Sequence, residues 1–197
     1  MTQRAHDQAR AQPGKRWDAK LPRDQRGYII PWVVYRDRDG RAHFTINDDA
    51  KREHVLKHDL CPICGKKLFR GRWFVGGPAS AFHPRGAYID PPMHYECAHY
   101  ALEVCPYLAA PNYSKRLDDK LLPEGEAPML MDPTMDPTRP DVFVAVMATG
   151  QRIRRESIFQ SYITPKRPYL RVEFWRHGRQ VDGAGIEESF AHERADA

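Results

Sequence analysis

The stretches Cys61-Pro-Ile-Cys-Gly65 and Asp90-Pro-Pro-Met-His-Tyr-Glu-Cys-Ala98 decide the fold at the centre of this 197-residue chain. Two cysteines in a Cys-x-x-Cys turn can bind one metal ion, because the turn directs both sulfurs to the same side. His94 and Cys97 lie three positions apart, which places them on one face of a helix. The complete spacing is C-x2-C-x29-H-x2-C, and three cysteines with one histidine are an established zinc ligand set. The sequence therefore predicts one structural Zn2+ per chain, with the ligands Cys61, Cys64, His94 and Cys97.

A redox pair is the alternative interpretation of Cys61 and Cys64, with the other two cysteines as small core residues. A thioredoxin-like motif follows a strand and opens a long helix, whereas a glycine and two lysines follow here. Four cysteines in 197 residues are also too few for a secreted disulfide scaffold. The cysteine pattern therefore favours a metal site in a reducing compartment.

Three further side chains lie near the motif in the sequence. Cys105 is the rival fourth ligand, but on a straight helix it lies about 12 Å along from Cys97, so we expect it to be a buried thiol. His99 lies on a different helix face from Cys97 and is expected to be exposed. His83 is expected to be a surface or substrate-side histidine, with metal ligation as the minor alternative.

A β-hairpin and a helix are predicted before the knuckle, the turn that holds Cys61 and Cys64. Residues 27–35 and 41–46 are rich in strand formers and are joined by an Asp-Gly pair that favours a tight turn. Asn47 or Asp48 can cap a helix over residues 48–58. The inward face of this helix is predicted to carry Ala50, His54, Val55 and His58.

A second hairpin and a second helix are predicted after the knuckle. Residues 67–75 are rich in strand formers, and residues 87–89 are expected to return as their partner strand. Asp90 is a suitable cap, and Pro91 a suitable first residue, for a helix that ends near residue 105. A knuckle, a hairpin and a ligand-bearing helix occur in this order in a treble clef. The predicted fold class is α+β, with a treble-clef-like zinc domain and a β-rich C-terminal region packed on it.

Composition divides the chain into segments. Residues 141–148 and 169–175 have the apolar and aromatic content of strands, and we expect them to pack against or extend the first domain, because the C-terminal third is too poor in apolar residues to fold alone. The predicted segments are a basic disordered tail (1–26), a zinc-binding α+β domain (27–116), a Pro/Asp-rich linker (117–140) and the β-rich C-terminal region (141–197).

The apolar residues bear on the location of the protein. The mean hydropathy is -0.70, and no window approaches the 18 or more apolar residues of a membrane-spanning helix. The first twenty residues contain no apolar run typical of a signal peptide. We therefore expect a cytoplasmic protein without a membrane partner.

The basic residues are arranged in blocks. Residues 61–85 carry five Lys and Arg and no acidic residue. Such a block, with aromatic side chains among it, can contact phosphates and stack a base; the alternative is a solvated basic face that balances the thiolate charge. The candidate nucleic-acid-binding residues are Lys66, Lys67, Arg70, Arg72, Trp73 and Arg85.

Several short motifs occur in a fixed order over residues 28–180, namely Ile30-Pro-Trp32, Leu60-Cys-Pro-Ile-Cys-Gly65, Phe74-Val-Gly-Gly-Pro78, Asp90-Pro-Pro-Met-His-Tyr-Glu-Cys-Ala98, Val104-Cys-Pro106 and Glu173-Phe-Trp-Arg-His-Gly178. This layout resembles uncharacterised zinc proteins of tailed bacteriophages and prophages, which share a CxxCG, GP, PPxHxxCA, CP and WW-x-x-G order. Phe174 departs from the tryptophan pair of that order. The resemblance implies the same zinc ligands and the interior of a host cell as the location, and it implies no activity.

Three functions fit these observations. The first is nucleic-acid binding through the basic face of the zinc hairpin. The second is an accessory protein that binds and modulates a host enzyme or defence protein, using the loop 76–89 and the C-terminal region. The third is a treble-clef nuclease in which His83 or His99 activates water. The nuclease lacks the Asp-His pair and downstream Asn expected after the knuckle, so the sequence does not favour an enzyme. A homodimer formed through exposed strand edges is a further prediction.

Overall fold

A computed structural model of the chain describes residues 17–109, 140–155 and 161–186. The described residues form a mixed α and β fold with three antiparallel sheets. The elements are β1 (Val34–Arg36), β2 (Ala42–Asn47), α1 (Asp49–His58), β3 (Arg72–Gly76), α2 (Pro78–Phe82), α3 (Tyr95–Val104), α4 (Pro106–Ala109), β4 (Phe143–Ala148), β5 (Gln151–Arg155), β6 (Ser161–Pro165), β7 (Arg171–Arg176) and β8 (Arg179–Val181).

The first hairpin is confirmed, although it is shorter than predicted. β1 pairs with β2 around Gly40, whose φ is +78°. The rest of the predicted first strand bonds elsewhere. The N–H of Ile30 donates to Pro22 O at 2.8 Å, and the N–H groups of Trp32 and Val33 donate to carbonyls of the knuckle. Because these donors are already paired, the segment before β1 braces the knuckle instead of extending the hairpin.

Helix α1 is confirmed with Asp48 as its N-cap, since the Asp48 side chain accepts a hydrogen bond from the N–H of Lys51 at 3.0 Å. The predicted inward face is wrong apart from Val55. The buried residues of α1 are Arg52, Val55 and Leu56, while Ala50, His54 and His58 are exposed. Arg52 is buried because its guanidinium donates to the backbone oxygens of Ile89 and Ser161.

The predicted hairpin between residues 67–75 and 87–89 is wrong. β3 pairs with β4 over five residue pairs, from Arg72 with Ala148 to Gly76 with Val144. Tyr88 pairs with Ile163 of β6 in an isolated bridge. The apolar content of the two segments was correctly interpreted as extended structure, but it could not identify the partners, which lie far away in the chain.

Helix α3 begins later than predicted. Its N-cap is His94 in place of Asp90, and its first residue is Tyr95. The preceding residues are extended, because Met93 and Trp73 exchange two backbone hydrogen bonds of 2.8 and 3.0 Å. These bonds fix the entry of α3 against β3.

One four-stranded sheet joins β3 to three strands that follow residue 140, in the order β3-β4-β7-β8. Neighbouring residues of β4 enter two separate core layers, Phe143 and Ala145 on one side and Val144 and Val146 on the other. The first layer also holds residues of α3 and the predicted ligands Cys61 and Cys97. The strands β4 and β7 were predicted at 141–148 and 169–175. β4 pairs with β3 and β7 pairs with β4, so these strands extend the sheet that begins with β3.

The described part of the predicted tail, residues 17–26, is folded. Asp18 is buried, and its carboxylate accepts a hydrogen bond from Arg23 at 2.5 Å. Trp17 packs against the ring of Tyr100 with a centroid separation of 6.0 Å. The prediction of a disordered tail is therefore wrong for 17–26. Residues 1–16 and 110–139 lie outside the described residues, and the second range includes all but the last residue of the predicted linker, 117–140.

Candidate metal centre

The knuckle is a tight turn closed by backbone hydrogen bonds. Leu60 and Lys67 pair across it, and the N–H of Gly65 donates to Cys61 O at 2.8 Å. Gly65 has a φ of +70°, a conformation that glycine adopts without steric cost. The turn thus places Cys61 and Cys64 on the same side.

Trp32 covers the outer side of this turn. Its backbone N–H donates to Ile63 O at 3.0 Å, and the N–H of Val33 donates to Pro62 O at 3.1 Å. A Cβ atom on Gly65 would lie 2.7 Å from Cδ1 of the Trp32 ring. The motif Ile30-Pro-Trp32 therefore has a structural reason, because it holds the knuckle in place.

The second pair of ligands comes from the start of α3. His94 is the N-cap and Cys97 is the third residue of the helix. The carbonyl of His94 accepts the N–H of Ala98 at 2.9 Å, which is the first helical hydrogen bond. The prediction that both residues lie inside a helix is therefore corrected for His94, while the spacing still brings both side chains to the same place.

The four predicted ligands form one cluster. The sulfur atoms of Cys61, Cys64 and Cys97 and a ring nitrogen of His94 all lie within 4.8 Å of one another. Cys64 Sγ lies 3.4 Å from His94 Nδ1, and no cysteine of the described residues is in a disulfide. A tetrahedral zinc ion with Zn–S bonds near 2.3 Å has ligand-to-ligand distances of about 3.5–3.8 Å. The cluster is therefore close enough to hold a metal ion, and its chemistry is that of a zinc site.

His94 is oriented by a backbone acceptor. Its Nε2 lies 2.9 Å from Lys67 O, so we assign a proton to Nε2. Nδ1 faces the cysteines, and its lone pair becomes available to a metal ion when the second ring proton leaves. A ligand histidine that donates its other nitrogen to a carbonyl is the usual outer support of a zinc site. Lys67, whose backbone closes the knuckle, thereby links the two ligand pairs.

The cluster perturbs its own acidities. Hydrogen bonds from Cys61 and Cys97 hold the pKa of Cys64 well below the usual range of a thiol, assisted by the N–H of Lys66. Contacts with Cys61 and Cys64 raise the pKa of His94 to about 10. Hydrogen bonds to Cys61 and Cys64 also raise the pKa of Cys97 far above its usual range. In metal-free protein the Cys64 thiolate is thus stabilised by hydrogen bonds from neighbouring groups that keep their protons. A metal ion must displace those protons in order to bind the same atoms.

Cys105, His83 and His99 lie outside this ligand group. Cys105 is the C-cap of α3 and is half-buried. His83 Nδ1 accepts the N–H of Arg85 at 3.1 Å. His99 is mostly buried, contrary to prediction, because its Nε2 bonds to Glu173 Oε2 at 2.8 Å. The sequence reasoning overlooked this buried Glu173. A signal existed, since strand alternation puts Glu173 on the same face as Trp175.

The predicted nucleic-acid-binding residues have different environments. Lys66, Lys67, Arg70 and Arg85 are exposed. Trp73 is 3% exposed, so its predicted role in stacking a base is wrong, because its ring lies in the core beside α3.

Arg72 differs from these exposed residues. Its guanidinium lies 2.6 Å from the Asp59 carboxylate and donates to Gln151 Oε1 at 3.2 Å. It therefore already has an anionic partner. Phe69 was not a predicted candidate. Its side chain is 76% exposed, and its ring centroid lies 5.3 Å from that of His94.

No protein-family model, curated protein or solved structure matches the chain. Among the described residues, none of the helices has the length and apolar content that crossing a membrane requires. The fold and the site therefore define the chain as a mixed α and β protein with a Cys3His group suited to a metal ion.

Proposed function

We propose that the chain is a zinc protein whose Cys3His ion is structural, and that the surface beside the knuckle binds nucleic acid. The observation that carries the first part is the convergence of four ligand atoms within 4.8 Å. Four protein ligands leave no open position for water or substrate on a tetrahedral ion. The ion would join the knuckle to α3, in the manner of a treble clef, and contribute folding free energy.

The second part rests on a patch that we term the knuckle surface, formed by Lys66, Lys67, Phe69 and Arg70. All four side chains are exposed. Neither Lys66 nor Arg70 forms an ion pair with any residue in the described ranges. Their charges are therefore available to phosphates, which attract Lys and Arg by releasing condensed counterions.

Phe69 supports a single-stranded partner over a duplex. Its ring is 76% exposed, although a phenylalanine is usually buried. A base can stack on such a ring for about 1–3 kcal/mol, and every base presents a π-face, so no sequence preference is needed. Phe69 takes the role that the sequence analysis gave to the buried Trp73.

The test is fluorescence anisotropy of zinc-loaded protein with labelled single-stranded and duplex DNA and RNA over a series of salt concentrations. We expect salt-sensitive binding that is tighter for single strands. Arg70→Gln should reduce the slope of log K against log salt by about 0.7, the value for one phosphate contact with a single strand. Phe69→Ala should weaken binding with little change in that slope.

Arg72→Gln is the matched control, because Arg72 is already paired with Asp59. It should leave both the affinity and the salt slope unchanged. Absence of salt-sensitive binding by zinc-loaded wild-type protein would overturn the nucleic-acid proposal and favour the alternative of a host enzyme or defence protein as partner. The phage setting, the host cytoplasm and the homodimer stay predictions from the sequence.

A further inference from the structure

Helix α1 carries two exposed histidines one turn apart. His54 and His58 are separated by four positions, so their side chains project from the same helix face. Their ring centroids are 4.5 Å apart, with an angle of 47° between the ring planes. This spacing is the one by which two histidines on a helix share a metal ion.

The ring nitrogens of this pair are available. Within the described part of the chain, neither imidazole forms a hydrogen bond or an ion pair; their contacts are ring contacts. The sequence predicted that both histidines face the core. Both are exposed, so core packing does not account for their presence. Two unbonded imidazoles at this separation are a ready pair of ligands for a metal ion.

The helix holds the pair in position. The Asp48 side chain caps the first turn of α1, Val55 and Leu56 anchor its inner face, and Asp59 ends it in a left-handed conformation. Little side-chain or backbone order must therefore be created when an ion binds. His58 is in the last turn, where the helix dipole favours a positive charge.

We propose that His54 and His58 form a second metal site, for a late first-row divalent ion such as Ni2+, Cu2+ or Zn2+. Neutral imidazole suits these ions, and affinity for nitrogen ligands rises along the series toward copper. Two protein ligands leave the other positions to water, so this ion exchanges, unlike the one in the Cys3His group. None of the ligands is shared between the two sites.

Trp32 lies next to the second site and reports on it. Its ring centroid is 5.6 Å from that of His54, and its indole also contacts Gly65 of the knuckle. A paramagnetic ion bound at the histidines would quench the fluorescence of this indole. The same contact places the second site directly beside the structural one.

The experiment is a titration of zinc-loaded full-length protein with Ni2+, followed by calorimetry and tryptophan fluorescence. Nickel is the probe because Cu2+ can oxidise thiolates. Zinc release into the solution is measured on the same samples. We expect one nickel ion per chain, quenching, and no released zinc. His54→Gln and His58→Gln should each weaken binding by at least about tenfold, since each removes one of two protein ligands.

Two variants act as controls. His83→Gln removes a histidine outside the pair and should not alter nickel affinity. Trp32→Phe should abolish most of the quenching while the calorimetric signal remains. Equal nickel affinity of wild-type protein and His54→Gln would overturn the proposal, as would nickel uptake matched by zinc release, which would locate nickel at the cysteines. The zinc content of the starting protein tests the Cys3His site separately.

Discussion

Helix α3 carries two buried polar clusters that are completed in different ways. At its start, His94 and Cys97 meet the knuckle cysteines within 4.8 Å. Half a turn further on, His99 meets Glu173 of β7 at 2.8 Å. Both clusters adjoin the same core layer, and both contain groups that would be costly to bury alone.

The Glu173 cluster supplies its own partners. Glu173 is 1% exposed, and its Oε2 accepts hydrogen bonds from His99 and from Trp175 Nε1, the latter at 3.2 Å. Its Oε1 has no hydrogen bond among the described residues but lies 2.8 Å from Arg171 Nη2. A buried carboxylate is thus neutralised by side chains of the protein itself.

The Cys3His cluster cannot be completed in this way. Its four members are three thiols and one imidazole, and the thiols hydrogen-bond to one another. A divalent ion satisfies all four ligand atoms at once. The comparison teaches that neighbouring polar clusters on one helix can depend on the folded chain alone or on a ligand from outside.

Removal of one ligand of the Cys3His group is expected to have the largest effect and tests directly whether the two clusters differ. We expect Cys97→Ser to lose the zinc ion proposed for the Cys3His group and to lower the free energy of unfolding by on the order of several kcal/mol. Native mass spectrometry gives the zinc count, and denaturant unfolding gives the stability. Cys105→Ser is the matched control and should keep one zinc per chain. Zinc retained by Cys97→Ser but lost by Cys105→Ser would contradict the ligand assignment.

Proton release is the next largest effect. The pKa of His94 is raised to about 10 and that of Cys97 is raised above its usual range, so both groups are protonated near pH 7 in metal-free protein. Zinc binds only their deprotonated forms. Two or more protons should therefore leave, and zinc affinity should rise about a hundredfold per pH unit near neutral pH.

Calorimetry of zinc binding in buffers with different ionisation enthalpies counts these protons. His94→Cys keeps four ligands of a type that binds zinc and should still take up one ion. A zinc affinity that does not change between pH 6 and pH 8 would show that the cluster does not hold protons as the structure indicates.

Loss of the Glu173 carboxylate should have a smaller effect and leave the metal in place. Glu173→Ala removes the acceptor of His99 and Trp175 and should cost about 2–3 kcal/mol of unfolding free energy. Arg171→Ala should cost about 1 kcal/mol or less, because that side chain is half exposed. Urea unfolding of zinc-loaded protein measures both. If Glu173→Ala also loses zinc, the two clusters form a single unit.

The elements with local signals were predictable. Asp48 caps α1 as expected, the Asp-Gly pair turns the first hairpin, and the spacing of the cysteines and His94 identified the ligand group. Each of these depends on residues that are near one another or on chemistry that few residue types can supply. The inward face of α1 was predicted wrongly, because a buried Arg52 with distant partners replaced the expected histidines.

The partners of the strands could not be predicted. β3 was expected to pair with residues 87–89 and instead pairs with β4, about seventy residues away. The burial of Trp73 follows from that pairing and from its bridge to Met93, because together they place the Trp73 ring against α3. Long-range pairing depends on which apolar faces fit together, and periodicity within one strand does not contain that information.

The sequence by itself determined which residues could hold a metal ion, because thiols and imidazole in this spacing have few other uses. It also determined the start of α1, which Asp48 caps. Only the tertiary structure decided which basic and aromatic side chains are available. Arg72 forms an ion pair with Asp59, and Trp73 is buried in the core. Phe69, His54 and His58 are exposed. The physical reason is that burial is a property of packed surfaces, which form between segments that are distant in the chain.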